Sequence, residues 1–222
     1  MKFPPLAADY RNFRLRKINT PEYKHLWLLL FWPVYILRYF LVETLNPAAV
    51  YHPIHCALDD VIPFQEGFLI FYALWYVFIS GMHLYTLLFD VKSYKIYTKF
   101  LLISFSISSI IFLIYPSCQE LRPAEFPRDN LLARIVSILY TVDTNTNVFP
   151  SEHAIGALAV LAAAIHTESL RSPGKIAVIA ILAVLISLST AFLKQHSILD
   201  VLAALPICAV AYLLCYGRRE KK

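Results

Sequence analysis

The sequence predicts an all-α, polytopic membrane protein with six transmembrane helices and an outer-face amphipathic helix. Three observations predict it. The 222 residues are 59% hydrophobic and only 16% charged, where soluble domains run at about 45–50% and about 25%. The mean hydropathy is +0.59, and the apolar residues gather into runs near the roughly 20 residues that span a bilayer. Lys and Arg fall between alternate runs, which is the bias of cytoplasmic loops.

The formal net charge is +5. Because the basic residues flank apolar runs, this charge points to lipid heads and topology rather than to nucleic acid. With 5 glycines in the chain, no Gly-rich nucleotide loop is expected. No Cys-x-x-Cys pair occurs among the 4 cysteines, which excludes a zinc ribbon. Cys208 and Cys215 read as packing residues. Cys56 and Cys118 fall in two outer loops, where a disulfide is one option in an oxidising compartment. The whole chain, 1–222, reads as a single membrane domain: a basic cytoplasmic tail at 1–25, a six-helix core at 26–216 and a second basic tail at 217–222.

Taken in order, residues 1–25 carry Lys2, Arg11, Arg14, Arg16, Lys17 and Lys24. They lack the apolar core of a cleavable signal peptide, so the first span, 26–45, is expected to serve as an uncleaved signal. Pro33 is a candidate kink in it. Arg38, inside it, fits either snorkelling to the surface or contact with a lipid phosphate. The outer loop 46–67 holds Asp59, Asp60 and Glu66, and a His52-Pro53-Ile54-His55 pair whose spacing is a weak metal signal; Pro53 argues against a helix presenting both rings. The second span is 68–89, with His83 as an interior histidine. Lys92, Lys95 and Lys99 mark a basic inner loop at 90–99. The third span, 100–115, carries serines that permit close helix packing.

The stretch 116–149 is long and polar. Within 129–140, Leu131, Leu132, Ile135, Val136 and Leu139 recur at helical spacing. This amphipathic helix fits two roles, a lid over a site or a helix resting on lipid. The short, Ala-rich fourth span, 153–166, is expected to be shielded by its neighbours. An inner turn at 168–175, a fifth span at 176–193, an outer turn at 194–197 and a sixth span at 198–216 complete the core. The positive-inside rule then puts both termini in the cytoplasm. Arg122, the Asn147-Val148-Phe149-Pro150-Ser151-Glu152-His153 stretch and the turn at His196 come to the outer face.

Ionisable groups at membrane depth are costly and usually functional. Asp200 follows His196 by four residues, so the two share a helix face. A carboxylate there fixes the imidazole's tautomer and frees its other nitrogen for attack or proton transfer. His153 is then the general acid. The start of the fourth span offers unpaired N–H groups that favour an anion, with the Ser151 hydroxyl beside them and positive charge from Arg122 and Lys194. These features describe a phosphate pocket. Asp143 and Asn147 lie close by in sequence and are possible substrate contacts.

These residues carry a resemblance. Pro150-Ser151-Glu152-His153 is similar to the Pro-Ser-Gly-His signature of the type 2 phosphatidic acid phosphatase superfamily. Ser189, His196 and Asp200 resemble its third signature, and Arg122-Pro123 the end of its first. The resemblance covers roughly 68 to the C-terminus. It implies a metal-independent enzyme without a cofactor, in which His196 attacks phosphorus, Asp200 orients it and His153 protonates the leaving oxygen. It also implies that Arg122, Ser151 and the N–H groups of Glu152 and His153 hold the phosphoryl oxygens, with Lys194, Ser189 and Thr190 as neighbours. The expected partners are a lipid phosphate substrate and membrane lipids, with no obligate protein partner. The expected place is a cell membrane, read as bacterial.

Three positions depart from the pattern: Tyr115 replaces Lys, Glu152 replaces Gly and Thr190 replaces Arg. The pocket therefore has fewer cations, and Lys194 is the expected replacement for one of them. Glu152 adds a carboxyl that must be turned away, paired or protonated beside a phosphate. The Lys-Gln-His run also resembles the inositol-phosphoceramide and sphingomyelin synthase branch, which passes a phosphoryl head group to an alcohol. Hydrolysis, transfer, and a non-catalytic transporter or binding protein on the same fold are the three expectations.

Overall fold

The computed structural model describes residues 4–45 and 50–217. Arg218, Arg219, Lys221 and Lys222, the basic residues expected to close the chain, lie outside the described residues. Among the described residues, eight α-helices run in chain order: α1 Phe31–Leu45, α2 Ala57–Val61, α3 Leu69–Phe89, α4 Val91–Ile114, α5 Leu131–Val142, α6 Glu152–His166, α7 Pro173–Phe192 and α8 Ile198–Tyr216. A small sheet pairs β1 (His52–Pro53) with β2 (Ser117–Cys118) in parallel.

Among the described residues, five helical segments are long and apolar enough to cross a membrane: Lys24–Thr44, Glu66–Phe89, Val91–Ile114, Pro173–Phe192 and Ile198–Tyr216. Large apolar side chains stay exposed on them, among them Leu37, Val77, Ile110, Val184 and Leu213. In water such a band would be an aggregation liability; in lipid it is the expected surface. The chain is an integral, all-α polytopic membrane protein.

The sixth element of the core, α6, has 15 residues. At 1.5 Å per residue it is about 22 Å long, short of the ~30 Å hydrocarbon core. It does not need that length because α3, α4, α7 and α8 surround it. Ala154, Gly156, Ala157, Ala159, Ala162, Ala163 and Ala164 are all buried on it, and such small residues let neighbouring backbones approach. Gly156 marks the closest approach: a Cβ there would sit 2.6 Å from Trp75 Nε1.

The chain alternates direction, so α1, α4 and α7 end where α3, α6 and α8 begin. We call this the site end. At the opposite end Asp90 alone links α3 to α4, its carboxylate accepting from the Ser93 N–H and capping α4. The basic loop expected at 90–99 is therefore the start of α4. Its lysines alternate with buried Tyr94, Tyr97 and Thr98, which hold that stretch helical. The N-terminal segment is no loose tail either. The Ala7 N–H donates to the Leu88 carbonyl at 2.8 Å, the Tyr10 hydroxyl donates to the Leu87 carbonyl at 2.6 Å, and Tyr23 is buried. Pro33 lies inside the Lys24–Thr44 helical segment, just past the point where a 3-10 stretch at Lys24–Leu30 passes into α1.

At the site end, α5 starts at an Asn130 cap whose side chain accepts from the Ala133 N–H. Ala133 and Val136 are buried, and Val136 packs with Phe64, Tyr72 and Leu193. The opposite stripe, Leu131, Ile135, Ile138 and Val142, is exposed. One face of the helix thus packs on the bundle, and the other presents apolar surface outward.

Candidate active site

The turn carrying His196 is shaped by the end of α7. Lys194 adopts a left-handed φ of 55° just past the helix, a place usually given to glycine. The Thr190 carbonyl accepts from the N–H groups of both Gln195 and His196, at 2.9 and 3.2 Å. Ser197 then caps α8. The α2 segment clamps this turn. The Asp59 carboxylate accepts from Ser197 Oγ at 2.6 Å and from the Ile198 N–H at 2.8 Å, and Lys194 Nζ donates to the carbonyls of Asp59 and Ile62 at 2.7 and 2.5 Å. Burial pushes the Asp59 carboxyl up, but hydrogen bonds from Ser197, Ile198 and Cys56 outweigh it and hold it below its ordinary value.

His196 Nδ1 lies 2.9 Å from the Val148 carbonyl and 3.1 Å from Asp200 Oδ2. A carbonyl only accepts, so Nδ1 carries the proton and Nε2 keeps a lone pair. Asp200 is fully buried, and its Oδ2 also accepts from the Ser197 N–H at 2.9 Å. The Ser151 N–H donates to the Asp200 carbonyl at 3.0 Å, which ties the start of α6 to α8. The His153 ring stands 6.0 Å from the His196 ring, stacks on Tyr72 at 4.3 Å and tilts over Trp75 at 4.5 Å. Its Nε2 is buried without a hydrogen-bond partner.

Both rings border a cavity of about 380 Å³ at the site end, within the ~300–1,000 Å³ range of small-molecule sites. Its rim includes Ile36, Phe40, Tyr76 and Val142, all substantially exposed. Asp143 and Asn147 also line it. Asn147 Nδ2 donates to Glu43 Oε1 at 2.9 Å, and Asp143 Oδ2 accepts from the Tyr72 hydroxyl and from Gln195 Nε2. Tyr72 is thus fixed on both sides, by a carboxylate and by the imidazole it stacks on.

The expected phosphate-holding cations are placed otherwise. The Arg122 guanidinium donates to the carbonyls of Tyr140, Asp143 and Thr144 and to Gln195 Oε1, and lies 4.4 Å from the Tyr140 ring centre. Burial pulls its pKa down, while Asp143 and Tyr140 oppose that. It braces Gln195 and the segment after α5 and is not on the cavity wall. Lys194 is likewise off the wall, its ammonium taken by the α2 carbonyls. Burial lowers its pKa, against the pull of Asp59 and Asp60. Ser189 and Thr190 are fully buried and bond back to the Ile186 and Ser187 carbonyls. Ser151 is fully buried too, and caps α6 by accepting from the Ala154 N–H.

Glu152 lines the cavity and is paired. The Arg38 Nη1 and Nη2 groups donate to its two oxygens, each at 2.7 Å, and the Tyr35 hydroxyl adds a bond at 3.1 Å. Arg38 therefore neither snorkels nor faces open lipid. The His52 ring stacks on Tyr115 at 4.5 Å, and His55 pairs with Asp60 at 2.8 Å. Among the described residues no three His, Cys, Asp or Glu side chains are grouped to hold a metal. The thiols of Cys56 and Cys118 are both free.

Sequence reasoning missed Tyr72, Trp75, Asp59, Gln195 and the Val148 carbonyl. Gln195, beside the histidine in the Lys-Gln-His run, was the one with a visible signal. No curated protein and no solved structure matches the chain. The family model described as PAP2 superfamily matches residues 99–222, a segment that contains both histidines, Asp200 and Arg122. With more than half of its length matched, the chain belongs to the PAP2 superfamily, whose members are generally phosphoesterases.

Proposed function

We propose that the protein hydrolyses a phosphomonoester or pyrophosphate of a membrane lipid through a phosphohistidine, at the outer leaflet. The observation that carries this reading is the pair of imidazoles 6.0 Å apart on one cavity, one of them anchored at Nδ1 by an acceptor-only carbonyl and a buried carboxylate. His196 Nε2 attacks phosphorus, and the bond from phosphorus to the leaving oxygen breaks. His153 gives that oxygen its proton, then takes one from water as the water attacks the phosphorus–nitrogen bond. Asp200 stabilises the developing imidazolium without itself taking the proton. The N–H groups at the start of α6 face the anion with the positive end of the helix dipole. The apolar rim of Ile36, Phe40, Tyr76 and Val142 suits the hydrocarbon of a lipid substrate.

One observation favours transfer to an alcohol as the second reading. Glu43, Asp143 and Glu152 line the cavity against a single Arg, which suits a phosphate with one negative charge, a diester, better than a dianion. A panel of lipid phosphates and phosphodiesters, scored for inorganic phosphate and for transferred head group, tests both. Phosphate released by the wild type and not by His196→Ala supports hydrolysis. Head-group transfer without phosphate release supports the second reading, and neither product from any lipid defeats both.

A further inference from the structure

We propose that Arg38, on α1, supplies the phosphate-binding cation of this site, with Glu152 as the tether that presents it. The inference rests on the proposed function. Arg38 lies outside the matched segment 99–222, on a helix that packs against α4.

A phosphoryl group in a partly dehydrated site needs a cation or many N–H donors. Tyr115 and Thr190 supply none, and the guanidinium of Arg122 and the ammonium of Lys194 are occupied by backbone carbonyls. Among the described residues, Arg38 is the one Lys or Arg on the cavity wall.

A guanidinium has five N–H donors and two usable forks, one through Nη1 and Nη2 and one through Nε and Nη2. Glu152 takes the first fork, at 2.7 Å to each oxygen, and Ser109 Oγ takes the other hydrogen of Nη1 at 2.8 Å. Nε is buried with no partner, and Nη2 donates to Glu152 with the Tyr35 hydroxyl beside it. The Nε edge therefore keeps an unspent donor, and a shift of the side chain toward the cavity brings that edge to the oxygens of a phosphate. The plane is held by the Tyr35 ring, 4.8 Å away.

This also explains Glu152, which stands where the family pattern has glycine. Its backbone N–H remains available at the start of α6, while its carboxylate draws Arg38 across from α1 to the residue next to His153. A bound phosphate would join the pair without breaking it, with Glu152 on one fork and the phosphoryl oxygens on the Nε edge.

The purified full-length protein in lipid–detergent micelles tests this with Arg38→Gln, Arg38→Lys, Glu152→Gln and the double variant Arg38→Gln/Glu152→Gln. The readouts are KM and kcat on a lipid phosphate that the wild type hydrolyses, and direct binding of orthovanadate, a phosphate mimic, followed by thermal shift. If Arg38 holds the phosphate, Arg38→Gln raises KM and weakens vanadate binding about tenfold or more. Arg38→Lys recovers only part of this, because an ammonium cannot form the fork. Glu152→Gln loosens the tether and weakens vanadate binding, but by less than Arg38→Gln does. The double variant removes both charges, so the burial cost is relieved and the protein folds, yet it stays as impaired as Arg38→Gln. If Arg38 only neutralises Glu152, the double variant returns to within about threefold of wild type, and the proposal is overturned. A wild type that binds vanadate through Arg38 but turns over no lipid phosphate defeats the proposed function and leaves the cation assignment standing. A wild type that does neither defeats both.

Discussion

The two ends of the helix bundle handle buried polar groups in opposite ways, and the two histidines His83 and His153 show the difference. Both rings are enclosed by aromatic side chains. His83 lies against Trp32 and Tyr97, and its Nε2 meets Thr98 Oγ1 at 3.2 Å; His153 lies against Tyr72 and Trp75. Each keeps one nitrogen without a partner. Yet only His153 borders the cavity, and only His153 faces a second imidazole. At the His83 end, short connections and a docked N-terminal segment close the bundle. At the other end, loops supply carboxylates and carbonyls that hold the His196 turn beside a void. Burial or a missing hydrogen bond does not by itself single out a histidine as a site candidate. Space beside it, and a second imidazole fixed from another helix, single out His153.

This contrast can be broken first by replacement. His196→Ala should remove turnover by about 10⁴-fold or more, while His83→Leu should leave it within about threefold; comparable losses at both sites would erase the distinction. His153→Ala should cost about 10²–10⁴-fold on a lipid phosphate. The loss should shrink for an aryl phosphate whose leaving group needs no proton, and an equal loss on both substrates would argue against a general acid. Gly156→Ala sharpens the packing side. Its Cβ, 2.6 Å from Trp75 Nε1, should cost about 1–3 kcal/mol of stability and lower kcat by displacing the indole under His153. An unchanged melting temperature would show that α3 and α6 are less tightly apposed than described.

A smaller effect concerns the α2 clamp. Asp59 is held below its ordinary value of 3.8 by its hydrogen bonds. A depressed carboxyl adds stability above its unfolded pKa and loses it as pH falls through the folded one. The melting-temperature gap between wild type and Asp59→Asn should therefore be constant near neutrality and shrink below about pH 4. A gap that persists to lower pH would show that the carboxylate charge is not what holds the turn. The smallest expected effect is none: EDTA should leave turnover unchanged, and inhibition reversed by a divalent ion would return attention to His52 and His55.

Much of this was legible in the sequence, for identifiable reasons. Apolar run length located the spans, and the ends of α3 at Phe89, α7 at Phe192 and α8 at Tyr216 fall where the runs stop. The four-residue step from His196 to Asp200 pointed to their pairing, but His196 sits in the turn ahead of the Ser197 cap and reaches Asp200 from outside α8, not along a shared helix face. The start of α4 was hidden because lysines on a helix surface look like a loop until buried Tyr94 and Tyr97 are seen between them. Arg122 and Lys194 are cations beside the motifs, yet nearby carbonyls claim them, and the sequence carries no sign of which carbonyls will be close. Arg38 reaches Glu152 across 114 residues, and Tyr72 reaches Asp143 across 71. Such pairings belong to how helices pack, which a pattern of residue types does not encode.

The central claim is that His196 carries the phosphoryl group. Rapid quenching of the purified protein with a lipid labelled by radioactive phosphorus in its phosphate tests it most directly. The account predicts label bound to protein that survives alkali, is lost in acid, maps to His196 and is absent from His196→Ala. Turnover by the wild type with no such species, or label that persists in His196→Ala, would contradict it.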